Sequence, residues 1–156
     1  MLEGARHLQN IHPLVIHFPI GLLMGAALFY FAAWVLKKDD LANAGFWTLL
    51  LGALSLAVSV GTGLYAEQGV MVHLSVRENL LLPHKQWMIA TAVLCALTTG
   101  WALIQRPFPK KGRVVFLGIL FAMVITMTIG ADFGGQLVYD YNAGGNACPQ
   151  PIKLKR

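Results

Sequence analysis

Four apolar runs, at residues 13–36, 44–66, 86–104 and 114–131, take up more than half of this chain. Each falls in the range of about 17–25 residues that a helix needs to cross the hydrocarbon core of a bilayer. Lipid offers no partner to a backbone N–H or C=O, so a span must satisfy its own hydrogen bonds, and continuous runs of this length do so as helices. Short connectors set neighbouring spans antiparallel. The expected fold is therefore all-α, an integral membrane four-helix antiparallel bundle over residues 13–139, with a polar lead at 1–12 and a loop-like tail at 140–156. Composition agrees: 56% of residues are hydrophobic and 12% charged, against about a quarter charged in soluble proteins. The first run reads as a retained helix. It is too long for a cleavable signal, contains Pro13 and Pro19, and runs into Lys37 and Lys38 with no small-residue cleavage site.

The formal charge of +5 is spread over connectors and termini, so it reports membrane orientation and does not point to nucleic acid. Lys37 and Lys38 follow the first run, and Arg106, Lys110, Lys111 and Arg113 follow the third. By the positive-inside rule this excess sets both short connectors in the cytoplasm and both termini outside, in a bacterial inner membrane. Cys95 falls mid-span and Cys148 in the tail. The difference in depth forbids a disulfide between them, and no CxxC or CxxCH pattern occurs.

Small residues mark the helices. Gly21, Gly25, Ala26 and Ala27 run along the first, and Gly45, Gly52, Ser55, Ser59, Gly61 and Gly63 along the second. They permit close helix contact, and Gly61 and Gly63 alternatively leave room for a flat cofactor. The connector 67–82 is apolar enough to lie at the membrane surface. Gly130, Gly134 and Gly135 are expected to break the fourth helix into a tight turn.

Chemistry concentrates at one end. His7, His12, His17, His73 and His84 all fall at the end of the bundle opposite the two short connectors. Pro13 suits the first turn of a helix, which puts His12 at the rim. His17 lies further in, just before Pro19, which removes the bond to the Val15 carbonyl and should bend the helix. An ionisable residue inside a membrane edge points to function once it has a partner. Antiparallel packing brings the start of the third helix, with Pro83 and His84, level with His17. Two neutral imidazoles on facing helices can hold the axial positions of haem iron, and Phe18, Trp87 and Phe133 are placed to pack on the ring. His12 and His17 are about 140° and 7.5 Å apart on an ideal helix, which argues against one small ion held by both. His12 and His73 are secondary candidates, and a second bis-histidine site is conceivable. His7 and His73 read more simply as an interfacial belt. Asp132 and Glu67 are candidates to orient an imidazole N–H, or are plain surface carboxylates. Met24, Met88, Met123 and Met127 read as packing residues.

His12-Pro13-x-Val15-x-His17-Phe18-Pro19-Ile20, the sequence Gly61-Thr62-Gly63-Leu64 closing the second helix, His84 opening the third, and Gly134-Gly135-x-Leu137-Val138-Tyr139 after the fourth resemble the domain of unknown function two-two-three-one family of bacterial four-helix membrane proteins. The likeness covers about residues 10–140. It implies the four-helix fold, draws attention to His12, His17 and His84, and, because such domains are sometimes joined to redox modules, favours haem over a passive belt. The sequence after Tyr139 departs from the family pattern.

The leading expectation is a small b-type cytochrome with one haem b, or two, ligated by His17 and His84. It would transfer electrons between an external redox protein and the quinone pool or a partner subunit, as an electron-transfer component and not a self-contained enzyme. No nucleophile, carboxylate-pair or phosphate-loop motif points to a hydrolase or transferase. The alternatives are a non-catalytic anchor or assembly subunit of a larger membrane complex, and a divalent-metal binding or transport protein using His12, His17, His73 and His84. Helices two and four carry no ionisable group in their central parts, which weakens transport.

Overall fold

The computed structural model describes residues 11–69 and 72–143. Its helices are α1 (His12–Val15), α2 (His17–Leu36), α3 (Asp39–Glu67), α4 (Leu74–Val76), α5 (Leu82–Ile104) and α6 (Arg113–Tyr139), with a π-turn over Arg77–Leu81 between α4 and α5. They form four rods of 25, 29, 31 and 27 residues, all long and apolar enough to cross a membrane. The expected all-α membrane bundle is the fold observed. His7 and Cys148 lie outside the described residues, as do Val70 and Met71 of the connector.

The rods pair as two antiparallel hairpins, α1–α2 with α3 and α5 with α6, and each hairpin packs more extensively within itself than against the other. The α2–α3 turn is short. Lys37 takes a left-handed conformation (φ 55°) that ends α2, and Asp39 and Asp40 open α3, where the helix dipole favours negative charge. Gly112 caps α6 at φ +76° with Trp101 packed against it, so an L side chain there would be both strained and crowded.

On α3, Gly45, Gly52 and Ser59 are buried at seven-residue intervals. That period keeps one stripe on the partner along the whole helix. A Cβ on Gly45 would lie 3.1 Å from the Tyr30 ring, and one on Gly52 2.6 Å from Leu23. The absent side chains are what let α2 and α3 close together.

The main core lies toward the connector end. Tyr30 is fully buried, donates from its hydroxyl to the Pro107 carbonyl at 2.9 Å, and packs against Phe108 and Phe116 with ring centroids 5.1 and 5.0 Å away. Trp101 meets Phe116 edge-on at 5.9 Å. The Arg106 guanidinium stacks 4.4 Å over Phe46, and Arg113 lies 5.0 Å over Phe108 while donating to the Pro109 carbonyl at 2.9 Å. A smaller cluster of Val76, Leu80, Leu81, Leu137 and Tyr141 caps the other end.

The expected bend in the first rod is present and falls at Ile16, between α1 and α2, because the Pro19 ring crowds the carbonyl one turn earlier. Two local expectations are corrected. Glycines 130, 134 and 135 do not end the fourth helix; it continues to Tyr139, since its glycine face is covered by Trp87, Met88 and His84. The second half of the 67–82 connector is helical and runs straight into α5. There the Leu82 N–H bonds the Arg77 carbonyl in π register, which accommodates Pro83, a residue with no N–H to donate.

Candidate functional site

At the histidine end the four rods separate around a cavity of about 440 Å³, within the size range of small-molecule and cofactor pockets. Its walls come from all four rods: Pro19 and Ile20, Leu56 and Val60, Met88 and Ala92, Met127 and Ala131 among others. Against this apolar lining stand a few polar groups: His12, His84, Ser59, Lys85 and Glu67.

The two histidines are seated alike. His84, on α5, donates from Nδ1 to the Gly130 carbonyl of α6 at 2.7 Å, and its ring rests on Gly134, where a Cβ would come within 2.9 Å of Cε1. His12, at the start of α1, rests on Gly63 of α3 with the same 2.9 Å from a built Cβ to Cε1. Its Nδ1 lies 3.1 Å from the Thr62 hydroxyl, which itself donates to the Ser59 carbonyl at 3.0 Å. With that hydroxyl proton committed, Thr62 accepts from His12, which puts the ring proton on Nδ1. The Ser59 carbonyl also interacts with the His12 ring. Each seat thus uses a backbone carbonyl and a glycine four residues later, one turn apart on a single helix face: Ser59 and Gly63 for His12, Gly130 and Gly134 for His84. Both rings line the one cavity. A metal-ligating histidine is typically oriented through its second nitrogen by such an acceptor.

The structure brings His12 and His84 to one cavity, and it does not bring His17 there. His17 is exposed, with Nδ1 a long 3.4 Å from its own Leu14 carbonyl. The expected facing of His17 and His84 is therefore replaced by that of His12 and His84. The short α1 turn folds back on Thr62 and Gly63, and the break at Ile16 leaves His17 on the outside. His73 is exposed and caps α4, its Nδ1 2.9 Å from the Ser75 hydroxyl. Asp132 is exposed and accepts from Gln136 at 2.8 Å, one turn along its own helix. Glu67 lines the cavity but holds Lys85 at 2.7 Å and Arg77 at 3.4 Å. Neither carboxylate orients an imidazole, because the ring N–H groups already have backbone and hydroxyl acceptors. Phe18 points outward, 66% exposed. Gly63 makes room for the His12 ring and itself lines the cavity, and Gly61 faces open space. Among the described residues no three His, Cys, Asp or Glu side chains converge as a metal site.

Ser59 is the residue whose role the sequence did not disclose. Its side chain is 3% exposed, lines the cavity, and its hydroxyl makes no hydrogen bond. A buried hydroxyl left unpaired costs about 1–3 kcal/mol, so it marks a place where a polar partner belongs. The signal for it was the seven-residue phase with Gly45 and Gly52, which turns Ser59 inward.

No curated protein and no solved structure matches the chain. The family model described as predicted membrane protein (DUF2231) matches residues 8–147, a span that holds both histidine seats and all four rods, and the chain belongs to that family.

Proposed function

We propose that this membrane protein is a b-type haem protein in which His12 and His84, one from each hairpin, ligate the iron. The reading carries over from the sequence with one ligand changed, His12 in place of His17. The observation behind it is the matched pair of imidazole seats on one apolar cavity, each ring held on a glycine with Nδ1 bonded to the neighbouring helix. Haem supplies the one-electron couple when bound. The protein's own residues do the rest. The carbonyl of Gly130 and the hydroxyl of Thr62 fix the tautomer and plane of each ring, the glycines bring the rings close to the helices, and Leu56, Met88, Ala92 and Met127 exclude water. With haem held there, the protein would carry electrons between an external redox protein and the quinone pool or a partner subunit in a bacterial inner membrane.

The test is the optical spectrum of the detergent-solubilised protein with and without dithionite, together with a pyridine haemochrome assay. About one haem b per chain with a low-spin, six-coordinate spectrum is expected. His12→Ala and His84→Ala should each lose haem or turn high-spin, while His17→Ala keeps the wild-type spectrum. Two folded alanine variants that both retain a full low-spin complement would refute this ligand pair.

The Ser59 hydroxyl supports a second reading, in which the cavity takes a quinone. A quinone brings a carbonyl acceptor that the buried Ser59 hydroxyl could bond. Folded, haem-free protein that copurifies with quinone, and loses it on Ser59→Ala, would favour this reading over haem.

A further inference from the structure

The ligation scheme leaves one polar cluster unused. Glu67, the last residue of α3, has a side chain only 16% exposed, and it holds two cations from the other hairpin and its lead-in: Lys85 Nζ at 2.7 Å and Arg77 Nη2 at 3.4 Å. Those cations are 38% and 44% exposed. Glu67 and Lys85 line the cavity, and Arg77 lines a polar recess beside it, with Leu64 and Glu67 in the wall of both. The cluster therefore stands where the apolar cavity meets the polar rim.

Its charge does not balance. Two cations face one carboxylate, leaving about one positive charge at the rim. The ion pairs engage one N–H of Lys85 and one of Arg77, whereas an ammonium carries three donors and a guanidinium five. Position sharpens the point. Lys85 directly follows His84, and Glu67 follows Gly63 by one helical turn. A planar ligand held between His12 and His84 has its nearest polar edge here, and carboxylates on it are excluded from the hydrocarbon side by the cost of charge in lipid.

We infer that Lys85 and Arg77 bind the carboxylates of the cavity's ligand, with Glu67 holding the two cations at the rim. The ligand class is a flat apolar ring system with an acidic edge, a porphyrin dicarboxylate inserted with that edge toward Glu67. This rests on the haem reading and adds the direction in which the ring enters and the part of it that is recognised.

The experiment titrates the full-length haem-free protein, in nanodiscs of zwitterionic phosphatidylcholine so that no anionic lipid competes, with haemin and with haemin dimethyl ester. The two differ only in whether the carboxylates are free. Wild type is expected to bind haemin about tenfold tighter than the ester. Lys85→Gln with Arg77→Gln should remove that preference while the low-spin spectrum persists, and Lys85→Arg should restore part of it. Equal affinity of wild type for acid and ester, with a low-spin spectrum for both, would overturn the inference and leave the haem reading standing. Binding of neither porphyrin by folded protein would overturn both. The comparison on wild type needs no variant to fold.

Discussion

At the connector end Tyr30, Phe108, Phe116 and Trp101 fill the space between the rods, two arginines cover the aromatic faces, and the Tyr30 hydroxyl is bonded. At the histidine end the same four rods line an open-sided cavity, two imidazoles stand on glycines, and the Ser59 hydroxyl lacks a partner. The small-residue stripe of α3 runs through both, and its meaning changes along the way: Gly52 admits Leu23, Gly63 admits His12. Within lipid, helix association draws mainly on close packing. The dense end therefore supplies the stability that lets the other end stay hollow.

The largest effect should come from breaking the dense end. Tyr30→Ala removes a fully buried ring and its bond to Pro107, and should cost about 3–5 kcal/mol, read as a fall in the unfolding midpoint in mild detergent. A rise in volume should separate the two ends next. Ala33→Leu, at a site 5% exposed in the packed core, should cost about 1–3 kcal/mol. Ala131→Leu, which points bulk into the cavity lining, should cost less than Ala33→Leu while abolishing ligand binding. Equal destabilisation by the two would show that the histidine end is as tightly packed as the other. The smallest effect tests two glycines two residues apart. Gly61→Ala meets open space and should stabilise by about 0.4–1 kcal/mol through the unfolded chain. Gly63→Ala must displace the His12 ring, so haem-free stability should change little and haem retention should fall.

The spans were legible because lipid leaves a long apolar run little choice but helix, and the clustering of histidines at one end followed from counting connectors. Which histidine faces inward was not legible. The 140° between His12 and His17 says that they differ in direction, but the choice depends on where the first rod breaks and on Thr62 and Gly63, fifty residues further along the chain. The glycines at 130–135 misled for a related reason. Their local preference is to end a helix, and the weight of Trp87, Met88 and His84 against them overrides it. The Lys85, Arg77 and Glu67 cluster was hidden because it forms only when the two hairpins meet and the π-turn sets Arg77 toward α3.

The short turn after Lys37 and the aromatic lock around Tyr30 also define a mechanical arrangement. With the rods clasped at one end and about 37–46 Å long, the bundle has the proportions of a pair of tongs. Tilting one hairpin by five degrees about the clasp moves its far tip by about 3–4 Å, roughly the thickness of an aromatic ring. A flat molecule could be admitted or released at the histidine end by a tilt of that size, with every backbone hydrogen bond of the four rods intact and with Glu67 and Lys85 as the latch that such a tilt would open.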